Sequence, residues 1–337
     1  MSVQTSHRPL IEVRELTVRL CSGHLAVDRV SFEINRGECL SLVGESGCGK
    51  TLTALSLLKA VPQEVGRITA SSISLEGAEL TELSEKKMRP VRGGRISMIF
   101  QDPAVAVNPL FTLGSQIVET IHAHMRVSRK EADERARSAL ADAGLVETRR
   151  IFHSYPHQLS GGQCQRATIA LALATEPRLL IADEPTTALD VTVQRQILDL
   201  LKRLRNKRGL ALLLITHNLS VVAQLADRVL IMYAGQIVEG ASAGKTFSAA
   251  AHPYTRALLD CLPSVEIPRQ EPVTIPGNVP QPGDWPSGCR FRPRCEFAEP
   301  ECENEQSLAP VGQNGSHTAR CWLADKLFGK AHTSRGE

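Results

Sequence analysis

Aromatic residues are scarce in this chain: phenylalanine, tyrosine and tryptophan together make 4% of its 337 residues. A protein that grips single-stranded nucleic acid by stacking needs more rings than that. Charge of one sign is lacking too. The net charge is +3, too small to argue for nucleic acid from charge alone. Long hydrophobic runs are also missing. No apolar stretch approaches the roughly 18–20 residues that a bilayer-spanning helix needs. Met1 to Glu15 is polar and mixed in charge, without the apolar core of a secretory signal. No CxxC spacing occurs, which sets aside the usual zinc ribbon. These absences predict a cytosolic protein, docked on a membrane only through another component.

What is present is ordinary in bulk, with 42% hydrophobic and 22% charged residues. The length suits one large domain and an appendage. Residues 11 to 43 alternate apolar and polar, through Ile11, Val13, Leu16, Val18, Val30, Phe32 and Ile34, as antiparallel strands with one covered face do. Cys39 to Val43 is a short strand, and Thr51 to Lys59 has helical spacing. Further helices are predicted over 128 to 145, capped by Ser128 and ended by Gly144, then over Gln163 to Ala174 and Val191 to Lys207. Leu179 to Ala182, Leu210 to Thr216 and Val229 to Tyr233 read as buried parallel strands. Eleven of the nineteen prolines fall between Pro253 and Pro310, where long helices and central strands are disfavoured. The expected division is a domain over 1–250, with a helical part at about 104–175, and a small irregular extension over 251–337.

Two motifs carry chemistry directly. Gly44-Glu45-Ser46-Gly47-Cys48-Gly49-Lys50-Thr51 fits GxxxxGK[ST] at every position, between a strand and a helix. Its glycines let backbone N–H groups face phosphates, Lys50 adds a point charge, and the Thr51 hydroxyl can ligate Mg²⁺. A chance glycine-rich turn is the bland reading. Leu179 to Ala182 delivers Asp183 and Glu184 to a strand end. Asp183 suits a Mg²⁺ ligand, and Glu184 a base or water-positioning group. Two solvated acids are the bland reading there.

With Leu159-Ser160-Gly161-Gly162-Gln163 between these motifs, the chain resembles the ATP-binding subunits of ABC transporters. The resemblance implies an α/β P-loop domain: a RecA-like core, an antiparallel β subdomain and a helical signature subdomain. It implies that Ser160, Gly161, Gly162 and Gln163 contact an ATP held by a second protomer. Gln101 matches the glutamine that senses Mg²⁺ and water near the membrane subunit. Ala188-Leu189-Asp190 matches the D-loop, and His217 the histidine that contacts the γ-phosphate. One departure stands out. The family usually stacks adenine on an aromatic residue, here near Cys21, yet His24 is the only ring between Val13 and Ser31. Nucleotide affinity is therefore expected to be modest.

The resemblance narrows to the oligopeptide/dipeptide importer branch. It rests on Met88 to Gly93, Ile99 to Pro103, Asn108 to Phe111, His252 to Leu259, Ile275 to Pro280 and Gly288 to Cys295. The branch implies a paired ATP-binding subunit, as homodimer or related heterodimer, with two transmembrane permeases and an extracytoplasmic solute-binding protein. It places the chain peripherally on the cytoplasmic face of the inner membrane and involves no nucleic acid. Some members are reported to carry a 4Fe–4S cluster. Cys289, Cys295, Cys302 and Cys321 are its candidate ligands here; packed thiols and a zinc site are the alternatives.

Two rivals remain at this point. A non-transport ABC ATPase acting on DNA or ribosomes would show a long coiled coil, a second cassette or an inserted zinc module. The segment 52 to 158 contains prolines and no sustained heptad, and there is one cassette. A cassette that binds ATP without hydrolysis is opposed by intact Lys50, Asp183, Glu184 and His217.

Overall fold

The structure, a computed structural model, describes residues 8–187, 189–262, 274–312 and 315–328. Its chain contacts divide it into two compact units. One comprises residues 1–12, 33–39 and 74–215. The other comprises residues 13–32, 40–73 and 216–337.

The first unit is built on three parallel strands, Ile96–Ile99, Leu179–Asp183 and Ala211–Thr216. Leu179 lies opposite Ile96 on one side and Ala211 on the other. Leu179–Asp183 and Ala211–Thr216 are buried at every position, which is why they read as unbroken apolar runs rather than as alternation. Helices Leu113–His124, Arg129–Asp142, Thr148–His153 and Gly161–Leu173 pack on one another as the helical part. Ser128 caps the second of these, its hydroxyl accepting from the Glu131 N–H at 3.2 Å. Gly144, just beyond that helix, has φ +77°, a conformation that glycine adopts without Cβ strain. Asp142 accepts charged hydrogen bonds from Lys207 and Arg208 on the long helix Val191–Arg208.

In the second unit the strand Cys39–Val43 runs parallel to Arg228–Tyr233, with Val43 opposite Ile231. Arg228–Tyr233 forms a hairpin with Gln236–Ser242. Its tip, Ala234-Gly235, has φ +43° and +82°, the backbone signs of a tight mirror-image turn. Part of the long strand Ile11–Leu20 pairs antiparallel with Gly66–Thr69.

The proline-rich region contains the eight-residue helix Pro253–Asp260, two 3₁₀ turns and very short strands. It still reaches the sheet. Thr318–Ala319 pairs with Glu239 and Gly240, and Ala309–Pro310 pairs with Thr318–Ala319. Two-residue strands leave no periodic signal, so composition alone did not reveal them. Tyr233, Tyr254 and Phe291 meet edge to face or tilted in a core shared with Val43, Ile231 and Leu219. Three of the chain's few aromatic rings are thus concentrated where the extension meets the hairpin.

Candidate nucleotide site

The glycine loop follows from close backbone packing. A Cβ on Gly44 would lie 2.2 Å from the Met232 carbonyl oxygen. A Cβ on Gly49, at φ +107°, would lie 2.8 Å from the Ala26 carbonyl oxygen. Neither position has room for a side chain. The helix Lys50–Leu57 starts at Gly49 with no side-chain cap. Its first N–H groups therefore keep their capacity to bind an anion, with the positive end of the helix dipole behind them. Lys50 is 6% exposed. Its ammonium donates to the carbonyls of Gly44 at 2.7 Å and Glu45 at 2.8 Å. The Cys48 thiol is buried and pushed up by desolvation, so it is neutral packing. Ser46, Gly47 and Thr51 are exposed.

His217 lies at the end of Ala211–Thr216 and is exposed. The turn around it is fixed by two local hydrogen bonds. The Asn218 N–H donates to the Thr216 hydroxyl at 3.0 Å, and the Asn218 side chain accepts from Ser220 N–H at 2.9 Å.

In the first unit, buried Asp183 ends its strand and Glu184 follows at φ +47°. A non-glycine residue in that region is strained. The bonds around Glu184 hold it there. Its N–H donates to the Ile215 carbonyl at 2.9 Å. Its carboxylate accepts from Gln101 Nε2 and Thr187 Oγ1, each at 2.9 Å. The structure thus brings together Gln101 and Glu184, two residues 83 positions apart in sequence. The Gln101 amide oxygen is left as an acceptor. Within this unit the Asp183 carboxylate and the Gln101 amide oxygen are donors of the kind Mg²⁺ prefers. Thr187 was not anticipated, nor was Gln165, whose buried amide donates to the Pro185 carbonyl at 2.8 Å. Only their closeness in sequence to the motifs could have flagged them.

The signature segment opens the helix Gly161–Leu173 through a reciprocal cap. Ser160 Oγ accepts from Gln163 N–H at 3.3 Å, and Gln163 Oε1 accepts from Ser160 N–H at 3.2 Å. A Cβ on Gly162 would meet Val193 Cγ1 at 3.0 Å, whereas a Cβ on Gly161 meets nothing within 4 Å. Asp190 caps Val191–Arg208, accepting from Val193 N–H at 2.8 Å. Ala188 of the D-loop lies outside the described residues. Cys164 has its thiol pushed up by burial and by Asp102, which argues against a reactive thiolate in the signature helix.

Cys289, Cys295 and Cys321 lie close enough to other C-terminal thiols for these to raise their pKa. Burial is the main cause that lifts Cys295 to about 11 and Cys321 to about 12, and the neighbouring thiols add to it. A tetrahedral zinc site, with Zn–S near 2.3 Å, would need the sulfurs about 4 Å apart. Among the described residues no three His, Cys, Asp or Glu groups converge that way, so single-ion zinc does not fit. Cys289, Cys295 and Cys321 are half-buried and Cys302 is buried, and thiolates are the ligands that an iron–sulfur cluster takes.

Residues 27–187 match the ABC transporter family, and residues 238–302 match the oligopeptide/dipeptide transporter C-terminal region. The chain is 46% identical over 323 residues to a probable peptide ABC transporter ATP-binding protein of Sinorhizobium fredii, covering 94% of this chain and 96% of that one. The chain belongs to the ABC transporter ATP-binding proteins. It is 45% identical to the oligopeptide transport ATP-binding protein AppD of Bacillus subtilis, over 89% of this chain and 92% of that one. The dimeric bacterial ABC transporter cassette MJ0796 superposes with a TM-score of 0.60 at 28% identity, over 69% of this chain and 98% of that one. A second dimeric structure of that cassette is a post-hydrolysis state bound to ADP and phosphate. This ABC subunit is an ATPase with the cassette fold. Among its described residues no helix is long and apolar enough to cross a membrane.

Proposed function

We propose that this ABC subunit drives uptake of peptides or similar small solutes across the cytoplasmic membrane. The observation that carries this reading is kinship over both parts of the chain, including residues 238–302, with proteins named for peptide transport. It acts peripherally, with two permease subunits, a second ATP-binding subunit and an extracytoplasmic solute-binding protein.

The loop Gly44–Thr51 takes the ATP phosphates through backbone N–H groups, and Lys50 exchanges its carbonyl partners for phosphate oxygens. Thr51, Asp183 and Gln101 would hold Mg²⁺, which when bound offsets charge on the β- and γ-phosphates. Glu184 positions the attacking water, held in place by Gln101 and Thr187. His217 steadies the γ-phosphate. Ser160, Gly161, Gly162 and Gln163 serve the nucleotide of the partner protomer, with Asp190 at that interface. In support of the signature segment's role, no described residue comes within 4 Å of a Cβ placed on Gly161. Cys289, Cys295, Cys302 and Cys321 would hold a 4Fe–4S cluster. Its role would be to staple an extension that has little core of its own.

The test is Glu184→Gln. Turnover should fall by roughly 10²–10⁴-fold while ATP-induced association persists. Near-normal hydrolysis would refute the assigned role. For the cluster, iron and acid-labile sulfide are measured after purification without oxygen. About four of each per chain is expected, and absence of both leaves the packed-thiol alternative.

A further inference from the structure

One P-loop residue is held from the far end of the chain. The Arg294 side chain is 5% exposed and that of Glu45 is 30% exposed. Arg294 Nη1 and Nη2 donate to the two Glu45 carboxylate oxygens, each at 2.9 Å. The rest of the guanidinium is also engaged. Its Nε donates to the Pro276 carbonyl at 2.8 Å, Nη2 reaches the Ile275 carbonyl at 3.3 Å and Nη1 reaches the Tyr233 hydroxyl at 3.4 Å. A planar fork with every donor occupied has one orientation, which makes it a rigid support.

Tyr254 adds a second hold. The Glu45 N–H donates to its hydroxyl at 2.9 Å. Tyr254 is fully buried among Tyr233 and Phe291. The Glu45 carbonyl in turn accepts from the Lys50 ammonium. An unbroken chain of contacts therefore runs from Arg294 through Glu45 to the lysine that meets phosphate.

We infer that the C-terminal extension is part of the nucleotide site: Arg294 and Tyr254 are positioning residues that neutralise Glu45 and fix the first turn of the P-loop. The inference rests on the ATP-binding reading of Gly44–Thr51. Its chemistry is simple. A carboxylate in a loop that wraps an anion repels that anion unless a cation is bound to it. Arg294 supplies that cation without approaching the reacting γ-phosphate. Its loss should weaken ATP binding and leave the chemical step largely intact.

The experiment measures binding of a fluorescent ATP analogue to the purified full-length subunit, its thermal unfolding, and KM and kcat in the assembled transporter. Arg294→Gln should raise Kd and KM for ATP at least tenfold, with kcat within about threefold. Arg294→Lys should fall between, since it restores the charge and not the fork. Glu45→Gln/Arg294→Gln should bind at least threefold more tightly than Arg294→Gln and still more weakly than the parent, because the repelling charge is gone while the anchor is not restored. A purely structural arginine would leave the double variant as weak as the single one, and that result overturns the inference. So does Arg294→Gln binding within twofold of the parent. Should Arg294→Gln fail to fold, Tyr254→Phe decides. It keeps the ring and orphans the Glu45 N–H, and should weaken binding threefold or more; unchanged binding overturns the inference. If the parent itself does not bind the analogue, it is the ATP-site reading that fails.

Discussion

Gly161 offers a sharp separation between what the subunit needs alone and what it needs in a closed interface. It is the first residue of the helix Gly161–Leu173 and is not at positive φ. A Cβ there meets nothing within 4 Å. Alanine should therefore fit and reduce the entropy of the unfolded chain, stabilising the subunit by up to about 0.5–1 kcal/mol. The neighbouring Gly162 is the control, because its Cβ would press on Val193 at 3.0 Å. If Ser160 to Gln163 receive the phosphates of a nucleotide on the partner, the methyl at 161 enters the space the phosphates occupy. Loss of such preorganised contacts lowers turnover by roughly 10²-fold. The assay pairs chemical denaturation and ATP-analogue binding of the lone subunit with phosphate release by the assembled transporter. Gly161→Ala should show equal or higher stability, binding within twofold, and a collapse in turnover. Undiminished turnover would refute the interface role. A marked loss of stability would refute the claim that glycine is not required within the chain.

Two further outcomes follow from particular residues. Cys21 is exposed and stands near the position where the family places an aromatic ring; Cys21→Tyr should tighten ATP binding about fivefold or more, since a base stack contributes about 1–3 kcal/mol, and an unchanged Kd by titration would refute this. His252 is wholly buried and its Nδ1 accepts from Tyr254 N–H at 3.0 Å, so burial lowers it to about 4, against the opposing pull of Glu239. The unfolded chain binds the proton more readily, so stability is full above about pH 6.5 and is lost as pH falls toward 4, by about 3 kcal/mol in all. His252→Asn, which retains a capping oxygen, should flatten that part of the unfolding profile, and an unaltered profile would exclude His252 as its source.

Much of this was legible because the relevant signals are local. The strand Ala211–Thr216 was expected within one residue, since an unbroken apolar run can only be a buried strand or a buried helix, and this one is short. Ser128 was readable as a cap because capping is a contact over three residues. The P-loop was readable because its residue types are dictated by backbone approach rather than by distant partners. Contacts across long separations were not legible. Gln101 with Glu184 needed the resemblance to suggest a shared site, and Arg294 with Glu45, 249 positions apart, had no sequence signal. Nor did the sequence show that Asp190 caps a helix as well as belonging to the D-loop. Helix starts drifted for a related reason. Gly161–Leu173 begins two residues before the expected Gln163, because the Ser160 cap outweighs the low helix propensity of two glycines.

The contacts of Lys50 explain why a distant arginine is useful to this P-loop. In the structure its ammonium is held by the Gly44 and Glu45 carbonyls. On taking ATP it must exchange those acceptors for phosphate oxygens, and the loop loses an internal tie just when it gains charge. Gly44 and Gly49 cannot provide a replacement, having no side chains, and Gly47 and Ser46 are exposed. Glu45 is the loop residue with a carboxylate that can be anchored from outside. With that carboxylate fixed by Arg294 and its N–H fixed by Tyr254, the first turn keeps its shape while Lys50 moves. The extension therefore serves the ATP site at the step where the loop's own bonds are exchanged, and its integrity should be read in ATP affinity before it is read in hydrolysis.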